Sequence, residues 1–196
     1  MTFEELEQLI SELGFAHTSS PEKQFFVLAF RGLYGHHQVL LVPDGGSVQI
    51  RTIQYAICSP ESPHIAPLLS VLADINQRRR FAKFGYNADD GEISASADLM
   101  LCDVQATKEL MGTFIQHFIV VIDVLRERLI QVTETGQDPG EPDPKKIARD
   151  LERAARSAGG EAGHGGSGGG LRGLIERLRG RGKPQEPSDG GTIEEV

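Results

Sequence analysis

Tryptophan is missing from this 196-residue chain, and nine Phe and three Tyr bring the aromatic content to only 6 %. Flat platforms on which nucleobases stack are therefore scarce. Cysteine is almost missing as well: Cys58 and Cys102 stand in unrelated contexts and make no disulfide framework. Such usage fits a reducing cytoplasm, the expected compartment. Basic charge is in deficit, with 20 Lys and Arg against 28 Asp and Glu and a net charge of -8. An acidic body repels a phosphate backbone, so nucleic acid is not an expected partner. Long hydrophobic runs are lacking too. The most apolar stretch, residues 114–125, is interrupted by Gln116, His117 and Asp123 and is too short to span a bilayer. The opening Met1-Thr2-Phe3-Glu4-Glu5 has neither a basic n-region nor an apolar signal core.

Catalytic patterns are equally sparse. No glycine-rich phosphate loop comes after a strand-like run, and no Gly-x-Ser-x-Gly elbow occurs. His36-His37 lies at a hairpin, where adjacent side chains point to opposite faces, so the pair does not share one ion and reads as a solvated turn. His117 falls beside an apolar helical stripe and reads as a packed or interfacial histidine. Cys58 and Cys102 read as core thiols. Asp89, Asp90 and Glu92 lack the spacing and further oxygen ligands of a calcium loop and belong to a turn. The expected protein is not an enzyme and holds no cofactor or metal.

Apolar residues make up 39 % of the chain, enough for a packed core, and their spacing orders the elements. Thr2 and Glu5 have capping-box spacing ahead of Phe3, Leu6, Leu9, Ile10 and Leu13, with Gly14 placed for a left-handed cap. Three strand-like runs come next, at residues 24–30, 37–42 and 47–57, joined by short Gly- and Asp-rich turns that imply antiparallel neighbours. A helix with Ile65, Leu68, Leu69, Leu72 and Ile75 on one face ends in Arg78-Arg79-Arg80, a basic run that complements the helix dipole or meets an anionic client. Residues 81–86 and the alternating Ile93, Ala95, Ala97 and Leu99 form a hairpin around residues 87–91. A long helix over about residues 105–132 closes the domain. Beyond its core stripe of Leu110, Met111, Phe114, Ile115, Phe118, Ile119, Ile122, Leu125 and Leu129 it carries Val120, Val121 and Val124, an apolar excess that either the other helices or a partner covers.

After residue 132 the composition changes. Residues 135–142 are rich in Gly and Pro, Asp143-Pro144 suits a helix start, and Ile147, Leu151, Ala154 and Ala155 are the only stripe beyond it. Residues 159–170 hold eight glycines, a flexible coil. Leu171, Leu174, Ile175 and Leu178 then make a short amphipathic patch among Arg172, Arg177, Arg179, Arg181 and Lys183. Such a patch suits a partner groove or an anionic membrane surface. The expected organisation is an α+β domain over residues 1–132 and a largely disordered tail over 133–196, with weak helices near 144–157 and 171–180.

The order helix, three strands, helix, two strands, helix comes with a local signature. It reads Leu72-Ala73-Asp74-Ile75-Asn76, then Phe81-Ala82-Lys83-Phe84-Gly85-Tyr86, then Asp90-Gly91-Glu92-Ile93. Over residues 1–132 this resembles the YbjN family and the type III secretion chaperones that share its fold. The resemblance implies an α-β-β-β-α-β-β-α antiparallel sheet packed with helices. It also implies a chaperone-like regulator of protein or peptide clients, acting as a homodimer and described for YbjN-like proteins as sensory transduction regulation. The signature itself is structural rather than catalytic. Phe118, Val121 and Val124 are the expected dimer or client surface, and Leu171, Leu174, Ile175, Arg177 and Leu178 the expected tail recognition patch, with a membrane-surface adaptor as the alternative role.

Overall fold

The structure is a computed structural model and describes residues 1–101 and 107–159. Helix α1 (Phe3–Glu12) opens as its capping box requires: Glu5 N–H donates to Thr2 Oγ1 at 3.2 Å and Thr2 N–H to Glu5 Oε2 at 2.8 Å. Gly14, at φ +74°, turns the chain out of the helix. Strands β1 (His17–Ser20), β2 (Phe25–Arg31), β3 (His36–Asp44), β4 (Ser47–Ile53) and β5 (Ala56–Ile57) precede helix α2 (Ile65–Arg78). Strands β6 (Lys83–Tyr86) and β7 (Glu92–Met100), the long helix α3 (Lys108–Thr135) and helix α4 (Pro144–Gly159) complete the described chain.

All strand pairs are antiparallel, so the α+β class and the helix–meander–helix–hairpin–helix order hold. Strands β1 to β4 lie side by side in chain order, and β4 pairs with β7. Two details go beyond the pattern. The polar β1 pairs with β2 through its backbone, and its exposed Thr18 and Ser19 carry no hydrophobic signal. The expected run over 47–57 is broken at Gln54, which adopts φ +49°, and its two halves become β4 and β5. Both halves pair with one edge of β7, through Arg51↔Ser96 and Ala56↔Ile93, while β6 takes the other edge through Tyr86↔Ile93 and Lys83↔Ser96. The sheet is open, with β1 and β6 at its flanks.

One face of this sheet makes the core. Phe26, Leu28, Val39, Leu41, Val48, Ile50, Ile93, Ala95 and Ala97 point into it and are buried against α1, α2 and α3. From the helices come Leu6, Ile10, Leu68, Ile75, Met111, Ile115, Phe118 and Ile122, all fully enclosed. Each such side chain contributes about 1.5–3 kcal/mol on leaving water. The stripe of α2 differs from expectation at one position. Leu69 is 47 % exposed and Val71 is buried instead, because Leu68, Val71, Leu72 and Ile75 complete the 3.6-residue face.

The signature around Asn76 is a tertiary joint. Its carboxamide donates to Phe84 O at 2.8 Å and accepts from Phe84 N–H at 2.8 Å, so it pairs with β6 as a neighbouring strand would. Lys83 Nζ reaches Asn76 O at 2.8 Å and Arg79 O at 2.7 Å. Lys83 thus satisfies carbonyls at the end of α2, while Arg78 pairs with Asp74 at 2.6 Å and Arg79 with Glu141 at 2.6 Å.

Candidate interaction surface

An antiparallel sheet with one wet face is expected to be polar there. This sheet departs from that rule on β2 and β3. Phe25, Val27, Leu40 and Val42 all point away from the helices and are half-buried. Val27 stands opposite Leu40, Leu40 opposite Arg51, and Val42 opposite Gln49. On the flank, Thr18 faces Val27 and Ser20 faces Phe25. The result is an apolar strip two strands wide, rimmed by Thr18, Ser20, Gln49 and Arg51, beside an edge strand with one neighbour. An apolar patch with a polar rim and a free strand edge has the chemistry to take an extended segment of another chain.

Phe118, one of the three residues expected at a partner surface, is 0 % exposed. It lies in the core between helix and sheet and presents nothing to a partner, a correction that comes from helical phase: Phe114, Ile115, Phe118 and Ile122 share the buried stripe. Val121 and Val124 sit off that stripe and remain half-buried. Residues Leu171, Leu174, Ile175, Arg177 and Leu178 lie outside the described residues, as does Cys102.

The reading of His36-His37 as a solvated turn is corrected at one of the two positions. His36 is exposed, but His37 points into the core and is 3 % exposed. Its Nε2 lies 2.8 Å from Asp123 Oδ1. The same carboxylate accepts from Leu33 N–H at 2.6 Å and Tyr34 N–H at 3.0 Å. Gly32 and Gly35 make this approach possible: a Cβ on Gly32 would run into the Asp123 carboxylate, and one on Gly35 would stand 2.7 Å from Arg126 Nε. Tyr55 stacks near His37, at 6.2 Å between rings, and donates to Ile122 O at 2.6 Å. Burial pushes its phenol far above the ordinary tyrosine range. Asp123 was legible in the sequence only as an acid interrupting an apolar run.

Arg126 donates to Tyr55 O at 2.5 Å and borders a cleft of about 410 Å³ that is also lined by Ile57, Cys58, Ser62, Ile130 and Glu134. The Cys58 thiol is buried, as expected of a core cysteine. His117 is exposed and stacks on Phe81 at 4.7 Å. Among the described residues, no three His, Cys, Asp or Glu side chains are grouped to hold a metal ion, and no helix is long and apolar enough to cross a membrane.

Comparison with known proteins places this arrangement. The structure is similar to the crystal structure of YbjN, a "putative transcription regulator" from E. coli, with a TM-score of 0.52 and 16 % identity over 68 % of this chain and 93 % of that one. At that identity the likeness speaks for the fold alone. The crystal structure of the ExsC–ExsE complex is also similar, with a TM-score of 0.49 and 15 % identity over 66 % of this chain and 97 % of that one. No curated protein matches the chain. The family model described as "Putative bacterial sensory transduction regulator" matches residues 2–131, which takes in everything from the first capping box to the last buried turns of α3. The chain therefore belongs to the YbjN family.

Proposed function

We infer that this protein is a non-enzymatic regulator that works by holding a segment of a protein client on the open face of its sheet. The observation that carries the reading is the strip of Phe25, Val27, Leu40 and Val42, which is apolar where a solvated face would be polar. A client segment could pair with the free backbone edge of β1 or lie extended across the open face with apolar side chains over that strip. Membership of a family described as regulatory supports a binding role rather than chemistry. A second copy of the chain is the other occupant the strip would accept, which would make the expected homodimer.

The test uses the full chain and a Val27→Asp/Leu40→Asp variant, with Gln49→Ser as a control on the same face. Light scattering at micromolar concentration reads self-association, and affinity capture from the source cells reads the client. Association or capture lost in the double variant and kept in the control supports the strip. A monomer whose captured partners are the same in all three forms sinks the reading.

A further inference from the structure

Arg128 is 4 % exposed, yet it lies near the end of α3, past most of the core. Three carboxylates from two segments surround it. Asp138 takes its fork, Nε to Oδ1 at 2.8 Å and Nη2 to Oδ2 at 2.7 Å. Glu141 Oε1 accepts from Nη1 at 2.9 Å, and Asp74 of α2 accepts from Nη2 at 2.9 Å. The other oxygen of Glu141 meets Arg79 at 2.6 Å. Two guanidiniums thus clasp one short acidic stretch, residues 138–141, and the Arg128–Asp138 pair has the bidentate geometry that makes such pairs strong.

Helix α4, just beyond that stretch, is attached by charge as well. Lys146 Nζ lies 2.5 Å from Glu127 and 5.4 Å over the Tyr34 ring, and Tyr34 donates to Asp150 at 3.1 Å. Tyr34 is itself held by Asp123. The contacts advance from 146 to 150 while those on α3 step back from 127 to 123, so α4 runs antiparallel to α3. No side chain of residues 137–157 is fully buried; Ile147, Leu151 and Ala154 are half-buried at best. Gly136 and Gly140, at φ +71° and +85°, give the connection two left-handed bends. The family match ends at residue 131, before any of this begins.

We propose that residues 137–157 are a releasable strap, and that Arg79 and Arg128 form a seat for acidic segments whose resident is the chain's own Asp138-Pro139-Gly140-Glu141. With the strap away, Asp74, already shared with Arg78, is the one counter-charge the two guanidiniums keep among the described residues. The seat then carries net positive charge on an acidic protein and takes a second acidic segment of matching spacing. Docked, the strap covers the seat. This seat is distinct from the strip on the open sheet face and does not depend on it.

The experiment compares the full chain with an Asp138→Asn/Glu141→Gln variant by amide hydrogen exchange, and titrates each with a labelled peptide of residues 136–159. In the variant, protection over 144–157 falls about tenfold or more while that of α3 holds. The peptide binds the variant about tenfold or more tighter than the wild type, whose seat is filled, and loses that advantage when its own positions 138 and 141 are amides. Wild type in about 0.5 M NaCl shows a smaller loss over 144–157 in the same direction, and so does Lys146→Glu, which leaves Arg128 paired. Protection unchanged in all three, protection lost from α3 and α4 together, or equal peptide binding to both chains overturns the proposal.

Discussion

His37 Nε2 and Asp123 Oδ1 lie 2.8 Å apart with both residues shut away from solvent, one on β3 and one on α3. The pair ties the sheet to the long helix. Asp123 also receives the amides of Leu33 and Tyr34, so one carboxylate fixes the β2–β3 turn, the third strand and the helix together.

Asp123→Ala leaves those donors buried without an acceptor. Its expected cost is several kcal/mol, at about 1–3 kcal/mol for each buried donor left unsatisfied. Asp123→Asn keeps an acceptor oxygen and costs less, about 1–3 kcal/mol. Urea denaturation monitored by circular dichroism measures both, and an alanine variant within about 1 kcal/mol of wild type would contradict this account. Gly32→Ala adds a methyl where the carboxylate stands, so it destabilises the wild type by about 1–3 kcal/mol. In the Asp123→Ala background the methyl has room and costs less, a coupling that a double-mutant cycle reads directly.

Asn76 offers a second check. Its carboxamide satisfies both backbone groups of Phe84, at 2.8 Å each. Asn76→Leu strands a donor and an acceptor and is expected to cost about 1–3 kcal/mol. Asn76→Asp keeps the acceptor for Phe84 N–H and loses only the donor, so it falls between wild type and Leu in thermal unfolding. Equal stability of all three forms would show that β6 does not need this joint.

Acid should loosen the strap before it unfolds the body. The Arg128 guanidinium beside Asp138 holds that carboxyl below its ordinary value of 3.8, with the Gly140 N–H assisting. Hydrogen bonds from Arg78 and then Arg128 lower Asp74 in the same sense. A carboxyl depressed in the folded state binds fewer protons there than when released, so its contribution is fully present above pH 3.8 and fades as pH falls through the lowered folded value. Exchange protection over 144–157 should therefore be flat near neutrality and decline below about pH 4. Protection that declines between pH 8 and 6 instead would assign the contact to other groups.

Conservative changes on the open face should leave the fold intact. Val27→Thr and Leu40→Thr alter half-buried side chains on the face away from the described helices, so each is expected within about 1 kcal/mol of wild type in urea. Losses of several kcal/mol would mean that the strip is part of the core rather than a surface.

Much of the fold was legible from spacing. Thr2 and Glu5, the Ile93–Ala95–Ala97 alternation, the Asn87–Gly91 turn and the stripe of α3 each obey local rules of helix or strand, and each appears where those rules put it. Strand β1 was illegible because a polar edge strand is held by backbone pairing, which leaves no periodic trace. The expected partner surface was legible only in part. Phe118 followed the core stripe its spacing gives and is buried, so it cannot also serve a partner, while Val121 and Val124 stayed half-buried. Residues 171–180 lie outside the described structure.

Order of elements, helix caps and the alternation of strands come from the sequence itself, because they depend on neighbours within a few residues. Which face of the sheet stays open, which histidine of a pair is buried, and which acids gather around Arg128 were decided by tertiary structure. Those outcomes join residues dozens of positions apart, such as Asp74 with Arg128 and His37 with Asp123, and no local period encodes such a meeting.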